Sequence, residues 1–301
     1  MMKKLKFIPV ALLALIALAT GCSKEQNPLD NEQFIKQAFL VGANKSNNEG
    51  LSTVKLAYGK TADEEHVTYI SVATGGSQSI DRAITATIVD AGSESVARYN
   101  FLYRFGSDIR YQMLSPELYS IPQKNVQINT GEIYGTTPVY VKTAGMHCDS
   151  LYAVTVKISS ISEPEYIGIR KIDTVLMLSF SLTNAYSGNY QAQGKSYKLV
   201  NAAPADTTAI GLPRTIKATD YRTVRFYHLT TQESVVNAVE SGVKVHIKED
   251  NSLTVTAWGS LAITAGGGTY NPATRVFDLW YNYTVAGVTQ QFKGKFTRSA
   301  G

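Results

Sequence analysis

A chain of 301 residues with 44% apolar and 18% charged side chains is globular rather than disordered, and its length suits about two domains. Its 29 Lys and Arg against 24 Asp and Glu give a formal +5, or +2 once Lys3, Lys4 and Lys6 leave with the leader described below, too little clustered charge for a phosphate backbone. With 4 His and 2 Cys there is almost no material for a Cys/His metal cluster, so neither metal nor cofactor is expected.

Three lysines precede an apolar run, Phe7 to Ala19. Those 13 residues fit a signal-peptide core of about 7–15 and fall short of the roughly 20 that span a bilayer. The run ends Leu18-Ala19-Thr20-Gly21-Cys22, small residues before a cysteine, the pattern of a bacterial lipobox. Residues 1–21 read as a lipoprotein signal peptide and Cys22 as the lipidation site, its thiol accepting the diacylglyceryl group. The alternative is an ordinary secretory signal with a chance cysteine. More than one acyl chain on Cys22 would anchor the protein stably, leaving the rest in water. Ser23-Lys24-Glu25 resembles the charged export tags of surface lipoproteins in Bacteroidota, which points to the outer membrane and its outer face. With Cys22 lipidated, Cys148 is the one free thiol and behaves as a small hydrophobe. Its neighbour His147 would point to the opposite face of a strand, so no Cys–His nucleophile is assigned.

Residues 22–34 are polar, contain Pro28 and read as a lipidated tether. Phe34–Leu40 suits a short helix or an edge strand. Beyond Leu51, short alternating runs at Val67–Val72, Ala83–Val89, Val126–Asn129, Pro138–Lys142 and Tyr152–Ile158 predict strands. Their spacing predicts a sandwich over 35–165, with few segments before Glu163 long enough for a helix. Ile172–Leu182 is apolar and reads as the sandwich's last strand or a link, within a connecting segment 166–186. Strands at Lys195–Leu199, Thr223–Tyr227, Lys244–Ile247, Ser252–Thr256, Arg275–Val285 and Thr289–Thr297 predict a meander or small barrel over 187–299. Between them, Thr230-Thr231-Gln232-Glu233 offers a capping box and Gly242 a stop for one helix. Gly266-Gly267-Gly268 lacks the Lys-Ser/Thr of a phosphate loop and reads as a hairpin turn.

Arg98-Tyr99-Asn100, the run Tyr111-Gln112-Met113-Leu114-Ser115-Pro116-Glu117-Leu118-Tyr119 and Val126-Gln127-Ile128-Asn129-Thr130-Gly131 carry a family resemblance. Gly188-Asn189-Tyr190, Tyr270-Asn271-Pro272-Ala273-Thr274 and Phe292-Lys293-Gly294-Lys295-Phe296 extend it to the second domain. The mature chain resembles surface lipoproteins of Bacteroidota glycan-utilisation loci. They pair an N-terminal Ig-like domain of unknown function with a C-terminal lipocalin-like barrel. Two departures stand out: Ser115 is inserted before Pro116, and Tyr152-Ala153-Val154-Thr155 replaces a Tyr-x-Leu-Pro strand. The resemblance implies an all-β fold, an Ig-like sandwich followed by a lipocalin-like antiparallel barrel. It also implies a non-catalytic surface protein that captures oligo- or polysaccharide for a neighbouring outer-membrane transporter. Relatives that carry an endoglycosidase barrel need an Asp-x-x-Asp-x-Asp-x-Glu strand, which this sequence lacks.

A sugar site needs an aromatic platform beside planar polar groups. Along Arg275–Val285, Phe277, Leu279, Tyr281 and Tyr283 share one face, and Asp278, Trp280, Asn282 and Thr284 the other. The second face sets a tryptophan between a carboxylate and an amide at about 6–7 Å, from a rise of about 3.3 Å per residue. Thr254, Thr256 and Trp258 repeat the pattern. The candidate glycan-binding residues are therefore Trp280, Asp278, Asn282 and Trp258; the competing reading makes both tryptophans structural plugs. Tyr99, Tyr103, Tyr111 and Tyr119 suit sandwich packing or a contact surface for a partner. No second carboxylate declares itself as a hydrolytic partner for Asp278, and His66, His228 and His246 are isolated, so no catalytic residue is assigned. The alternatives to glycan binding are a protein-interaction or assembly module, fimbria-like or accessory to a transporter, and a glycoside hydrolase built from distant strands.

Overall fold

The computed structural model describes residues 32–43, 50–107, 109–166, 175–201, 203–231, 233 and 238–299. The leader, Cys22 and most of the tether lie outside them. The first unit comprises β1 (Gln37–Leu40), β2 (Leu51–Ala57), β3 (Glu65–Gly75), β4 (Ile84–Asp90), the helix α1 (Ser93–Tyr103), β5 (Tyr111–Met113), β6 (Tyr119–Ser120), β7 (Asn125–Ile128), β8 (Tyr134–Lys142), β9 (Leu151–Ile161) and β10 (Val175–Thr183). One sheet runs β1-β3-β8-β6 and the other β2-β10-β9-β4-β7, with β5 alongside β9. Phe34–Leu40 thus contributes an edge strand.

Alternation builds the core between the sheets. Ile84, Ala86 and Ile88 of β4 face inward beside Val154 of β9 and Leu178 of β10, with Ile70, Val72, Val139 and Val141 of the other sheet opposite. Each large apolar side chain so buried contributes about 1.5–3 kcal/mol. β9 and β10 depart from alternation because they are covered on both sides. Ala153 and Met177 turn outward, yet are buried beneath Val96 and Tyr99 of α1, with Leu51, Tyr111 and Met113 packed around them. That double burial explains the continuous apolar run at the start of β10. Few segments before Glu163 were expected to have room for a long helix, and α1, with 11 residues, occupies one of them. Only Val96 and Tyr99 of it are buried, so its periodicity is too thin to read from sequence.

The second unit is a closed barrel of consecutive antiparallel strands, β11 (Gly188–Val200), β12 (Ala203–Asp220), β13 (Thr223–Tyr227), β14 (Gly242–Ile247), β15 (Ser252–Trp258), β16 (Ile263–Asn271), β17 (Val276–Val285) and β18 (Val288–Arg298), with β18 pairing back onto β11. Eight strands enclose a space that side chains can fill, and Tyr190, Phe226, Phe277, Leu279, Tyr281, Tyr283, Phe292 and Phe296 are buried in it. Phe226 and Phe296 meet edge to face at 4.7 Å between centroids. A helical turn at Ala238–Ser241 leads directly into β14. Val235, Val236 and Gln232, from the expected helix, lie outside the described residues.

Gly266-Gly267-Gly268 is not a hairpin turn: it lies within β16, paired to β17 from Asn271↔Val276 back to Ile263↔Tyr283. Glycines leave no side chains to alternate, so the strand is invisible to periodicity. A Cβ on Gly268, whose φ is +146°, would fall 2.1 Å from the Asp278 carbonyl oxygen. A Cβ on Gly266 would fall 2.8 Å from Val255 Cβ and 2.9 Å from Tyr281 Cβ. Both positions therefore exclude any larger residue.

The sandwich loop between β8 and β9 rests on the outer face of the barrel. Asp149 of this loop is held by Arg225 and by Lys217, whose Nζ lies 2.8 Å from Oδ1. Trp258 meets His147 at 5.5 Å between ring centroids. Asn184, just past β10, donates to the carbonyls of Asp220 and Thr223 at 2.7 and 3.0 Å, which pins the β12–β13 turn.

Candidate functional site

The alternation expected in β17 holds. Phe277, Leu279, Tyr281 and Tyr283 are buried in the barrel, and Asp278, Trp280, Asn282 and Thr284 lie partly exposed on its outer face. Neighbouring strands extend this face by register. β18 sets Lys295 opposite Asp278, Lys293 opposite Trp280 and Gln291 opposite Asn282. β11 then sets Gln193 opposite Lys295, Lys195 opposite Lys293 and Tyr197 opposite Gln291.

Polar contacts fix both ends of the strip. Asp278 Oδ2 is 3.6 Å from Lys295 Nζ, an exposed pair of little energetic weight. Gln291 Nε2 donates to Asn282 Oδ1 at 2.7 Å, and the Tyr197 hydroxyl donates to Gln291 Oε1. The amide ladder holds Asn282 and Tyr197 in place, which lowers the ordering cost for any ligand they meet.

Trp280 lies between these ends. Gly267 is its partner on β16 and faces outward, yet it is buried, because the indole leans over it. A Cβ on Gly267 would meet Trp280 Nε1 at 3.8 Å and Cζ2 at 3.9 Å. The glycine thus gives the ring a flat backbone to rest on. Beside it, Gln193, Gly194, Lys195, Tyr197, Asp278, Lys293, Gly294 and Lys295 line an open depression of about 460 Å³. Its floor follows from Gly194 facing Gly294 across the β11–β18 pair, where an inward Cβ on either would strike backbone at 2.6–2.7 Å.

Trp258 does not join this strip. β16 separates its strand from β17, and the row through Trp280 and Gly267 meets β15 at Thr254. Trp258 lies four residues further on, roughly 13 Å along the strand at about 3.3 Å per residue, and packs against His147 of the sandwich. Cys22 lies outside the described residues. Tyr197, Gln291 and Lys293 were missed in the sequence. Alternation in Gln291-Phe292-Lys293-Gly294-Lys295-Phe296 places those polar residues outward, but only the register shows which of them flank Trp280.

The other residues of interest have structural surroundings. Tyr99 stacks near Tyr103 and edge-on to Tyr111, at 4.9 and 5.4 Å. Asn100 donates through Nδ2 to the Tyr111 carbonyl and accepts from its N–H through Oδ1, both at 2.8 Å, so its amide acts as a piece of strand. His147, Cys148 and Asp149 bring their ligand-type atoms within 4.8 Å of one another. Burial first, and the Asp149 carboxylate second, push the Cys148 thiol up to about 11. The carboxylate is already engaged by Arg225 and Lys217. A protonated thiol and an occupied carboxylate suit neither nucleophilic attack nor metal ligation.

Two family models match the chain, one for an N-terminal domain over residues 30–165 and one for a C-terminal domain over residues 174–297. No curated protein matches the sequence. Among solved structures, the chain is similar to a multidomain protein including DUF1735 from Bacteroides ovatus, at 16% identity and a TM-score of 0.62, covering 86% of this chain and 93% of that one. A Bacteroides ovatus protein of unknown function aligns at 15% identity and a TM-score of 0.62, over 87% of this chain and 94% of its own. An auxiliary nutrient binding protein from Bacteroides thetaiotaomicron aligns at 15% identity and a TM-score of 0.58, over 85% and 92%. At these identities the likeness is one of fold, and it spans both units.

Proposed function

Because the chain belongs to the two-domain family that the paired N-terminal and C-terminal models describe, we propose that it is a lipid-anchored, non-catalytic surface protein that binds oligo- or polysaccharide for a glycan-uptake system. The observation that carries this reading is the Trp280 strip: an indole seated over bare Gly267, with Asp278 and the Asn282–Gln291–Tyr197 ladder on either side. The C–H face of a sugar stacks on such a ring, and its hydroxyls reach the carboxylate and amides. The fold shared with an auxiliary nutrient binding protein agrees with this reading. Asp278 is the one carboxylate among the residues lining the depression, whereas glycosidases use a pair. Binding would concentrate glycan at the cell surface, with Cys22 carrying the anchor and the tether setting the reach. The barrel interior is packed with aromatic side chains, so the ligand is assigned to the outer wall.

Affinity electrophoresis of residues 23–301 against plant, host and microbial polysaccharides tests this. Retardation by one glycan, abolished by Trp280→Ala with the circular dichroism spectrum intact, is the expected result. Retardation that survives the substitution would move the site, and none across the panel would sink the glycan reading.

A protein-interaction module has one observation of its own. Helix α1 exposes Phe101, Leu102 and Tyr103, and Phe105 follows at 81% exposure. Co-purification of a transporter by the wild-type chain but not by Phe101→Ser/Phe105→Ser, without glycan retention, would favour it.

A further inference from the structure

The charge along the depression is one-sided. Lys195, Lys293 and Lys295 line it, and Asp278 answers only Lys295. Lys195 and Lys293 stand directly opposite each other across β11 and β18, both exposed, and neither forms an ion pair among the described residues. Two like charges in directly opposed cross-strand positions repel at Cβ separations of about 4.5–5.5 Å. A sheet gains nothing in stability from that arrangement. An anion seated between the two ammonium groups would turn the repulsion into attraction.

Position relative to Trp280 decides which anion fits. Lys293 is the cross-strand partner of Trp280, about one strand spacing of 4.8 Å away, and Lys195 is one strand further. The indole leans toward Gly267 of β16, so a pyranose stacked on it lies on the far side of β17 from the lysines, and a charged substituent reaches the lysine pair from the neighbouring sugar of a chain that crosses the strands. The strip carries ammonium groups and no guanidinium fork, so it reads charge rather than planar shape.

On the premise that the Trp280 strip binds glycan, we propose that its ligand is an acidic saccharide, with a carboxylate or sulfate group held between Lys195 and Lys293 while the neighbouring sugar stacks on Trp280. Uronic acids and sulfated sugars share this chemistry.

The test is affinity electrophoresis of residues 23–301 in matched pairs of polymers: polygalacturonate against its methyl ester, and chondroitin sulfate against desulfated chondroitin, with neutral galactan and mannan alongside. The expected result is retardation by an acidic polymer that its neutralised partner does not reproduce. Loss of the polygalacturonate signal on esterification would assign a carboxylate, and loss on desulfation a sulfate. Lys195→Gln/Lys293→Gln should weaken that binding about tenfold or more, while Lys55→Gln/Lys157→Gln on the sandwich leaves it unchanged. Retardation by neutral polymers alone, indifferent to the lysine pair, would overturn the acidic assignment and leave glycan binding standing. Equal retardation by every polyanion, DNA included, unaffected by Trp280→Ala, would overturn it as unspecific charge. No retardation by any polymer would remove the glycan premise, and this inference with it.

Discussion

Asp149 of the sandwich and Arg225 of the barrel meet as a buried ion pair across the two units. Arg225 Nε donates to Asp149 Oδ2 at 3.1 Å, and its Nη2 donates to Oδ1. The guanidinium is fully buried and stacks over the Tyr227 ring at 4.5 Å. Its Nη1 lies 2.7 Å from Glu233 Oε1, a second ion pair. Burial alone would raise the Asp149 pKa, but the bonds from Arg225 and Lys217 outweigh it and hold the carboxyl below its ordinary value.

Removing Asp149 leaves the fully buried Arg225 guanidinium with only the partly exposed Glu233 to answer its charge. Asp149→Ala should therefore cost several kcal/mol, up to about the 3–5 kcal/mol of an uncompensated buried charge and well above the usual effect of a single surface substitution. Replacing both, as Asp149→Leu/Arg225→Met, should recover most of the loss, because a buried pair offers little net stability over apolar packing. Urea unfolding of the two variants measures both values. A cost below about 1 kcal/mol for Asp149→Ala would show that the two units do not rely on this contact.

The glycine triplet of β16 makes a sharper stability prediction, because adjacent positions should differ. Gly268 has φ +146° and no room for a Cβ beside the Asp278 carbonyl. Gly268→Ala combines backbone strain of about 1–3 kcal/mol with a clash against main chain. Gly267 has only ordinary contacts, the nearest being the Leu253 carbonyl oxygen at 3.4 Å. Gly267→Ala should thus fold with a cost within about 1 kcal/mol, and the added methyl should alter the indole's seat and the fluorescence of Trp280. Equal stability of the two variants would contradict the β16–β17 register.

Asn100 offers a prediction inside the sandwich. Its side-chain amide makes both halves of a strand-like pair with the Tyr111 backbone, and Tyr99 packs on the adjoining ring. Asn100→Ala strands a part-buried N–H and carbonyl, each worth about 1–3 kcal/mol when unsatisfied. Asn100→Asp keeps the acceptor but loses the donor, so it should fall between wild type and alanine in thermal melts. An alanine variant as stable as wild type would mean that water replaces the clamp without loss.

The degree to which these features can be read from sequence follows from which side chains alternate. β17 was legible but for its expected first residue, Arg275, which has a φ of +54° and precedes the strand, because aromatic and aliphatic side chains fill one face and polar ones the other. The polar half of the candidate strip was legible for the same reason. β16 was not, since its glycines carry no pattern. The first half of β12 was not, since Ala203–Ala209 is exposed on both faces and shows no alternation. Helix α1 buries too few side chains to reveal its period. The β18 partner of Trp280, Lys293, is 13 positions away across a tight hairpin, but Lys195 and Tyr197 on β11 depend on a register that links residues roughly 85 to 100 positions apart and leaves no local trace. The separation of Trp258 from Trp280 was hidden for the same reason: both alternate outward, but the intervening strand could not be seen.

His228 supplies a pH dependence that is distinct from the carboxylates. It follows β13, with Nδ1 3.0 Å from the Tyr281 hydroxyl and its ring edge-on to Tyr283 at 4.4 Å. Burial, and then the Arg214 guanidinium, pull its pKa from 6.5 down to about 4. The folded chain therefore accepts the neutral imidazole and resists the charged one. At pH 7 the ring is neutral folded or unfolded, and the contribution to stability is complete. As pH falls from 6.5 to about 4, the unfolded chain binds a proton that the folded chain does not, so stability drops, by on the order of 3 kcal/mol once the folded pKa is passed. The depressed Asp149 carboxyl loses stability in the same direction, but only below the ordinary carboxylate range. Glu32, whose pKa is lowered from 4.5 to about 2 mainly by its Ser77 hydrogen bonds, begins to contribute near pH 4.5, so the upper part of the window, from pH 6.5 to about 5, reports His228. Thermal melts across it should show a falling Tm for wild type and a nearly level one for His228→Gln, whose amide can keep the Tyr281 contact without titrating. A wild-type Tm that is level from pH 7 to 4.5 would mean that the imidazole protonates inside the barrel without cost, contrary to its packing between Tyr281 and Tyr283.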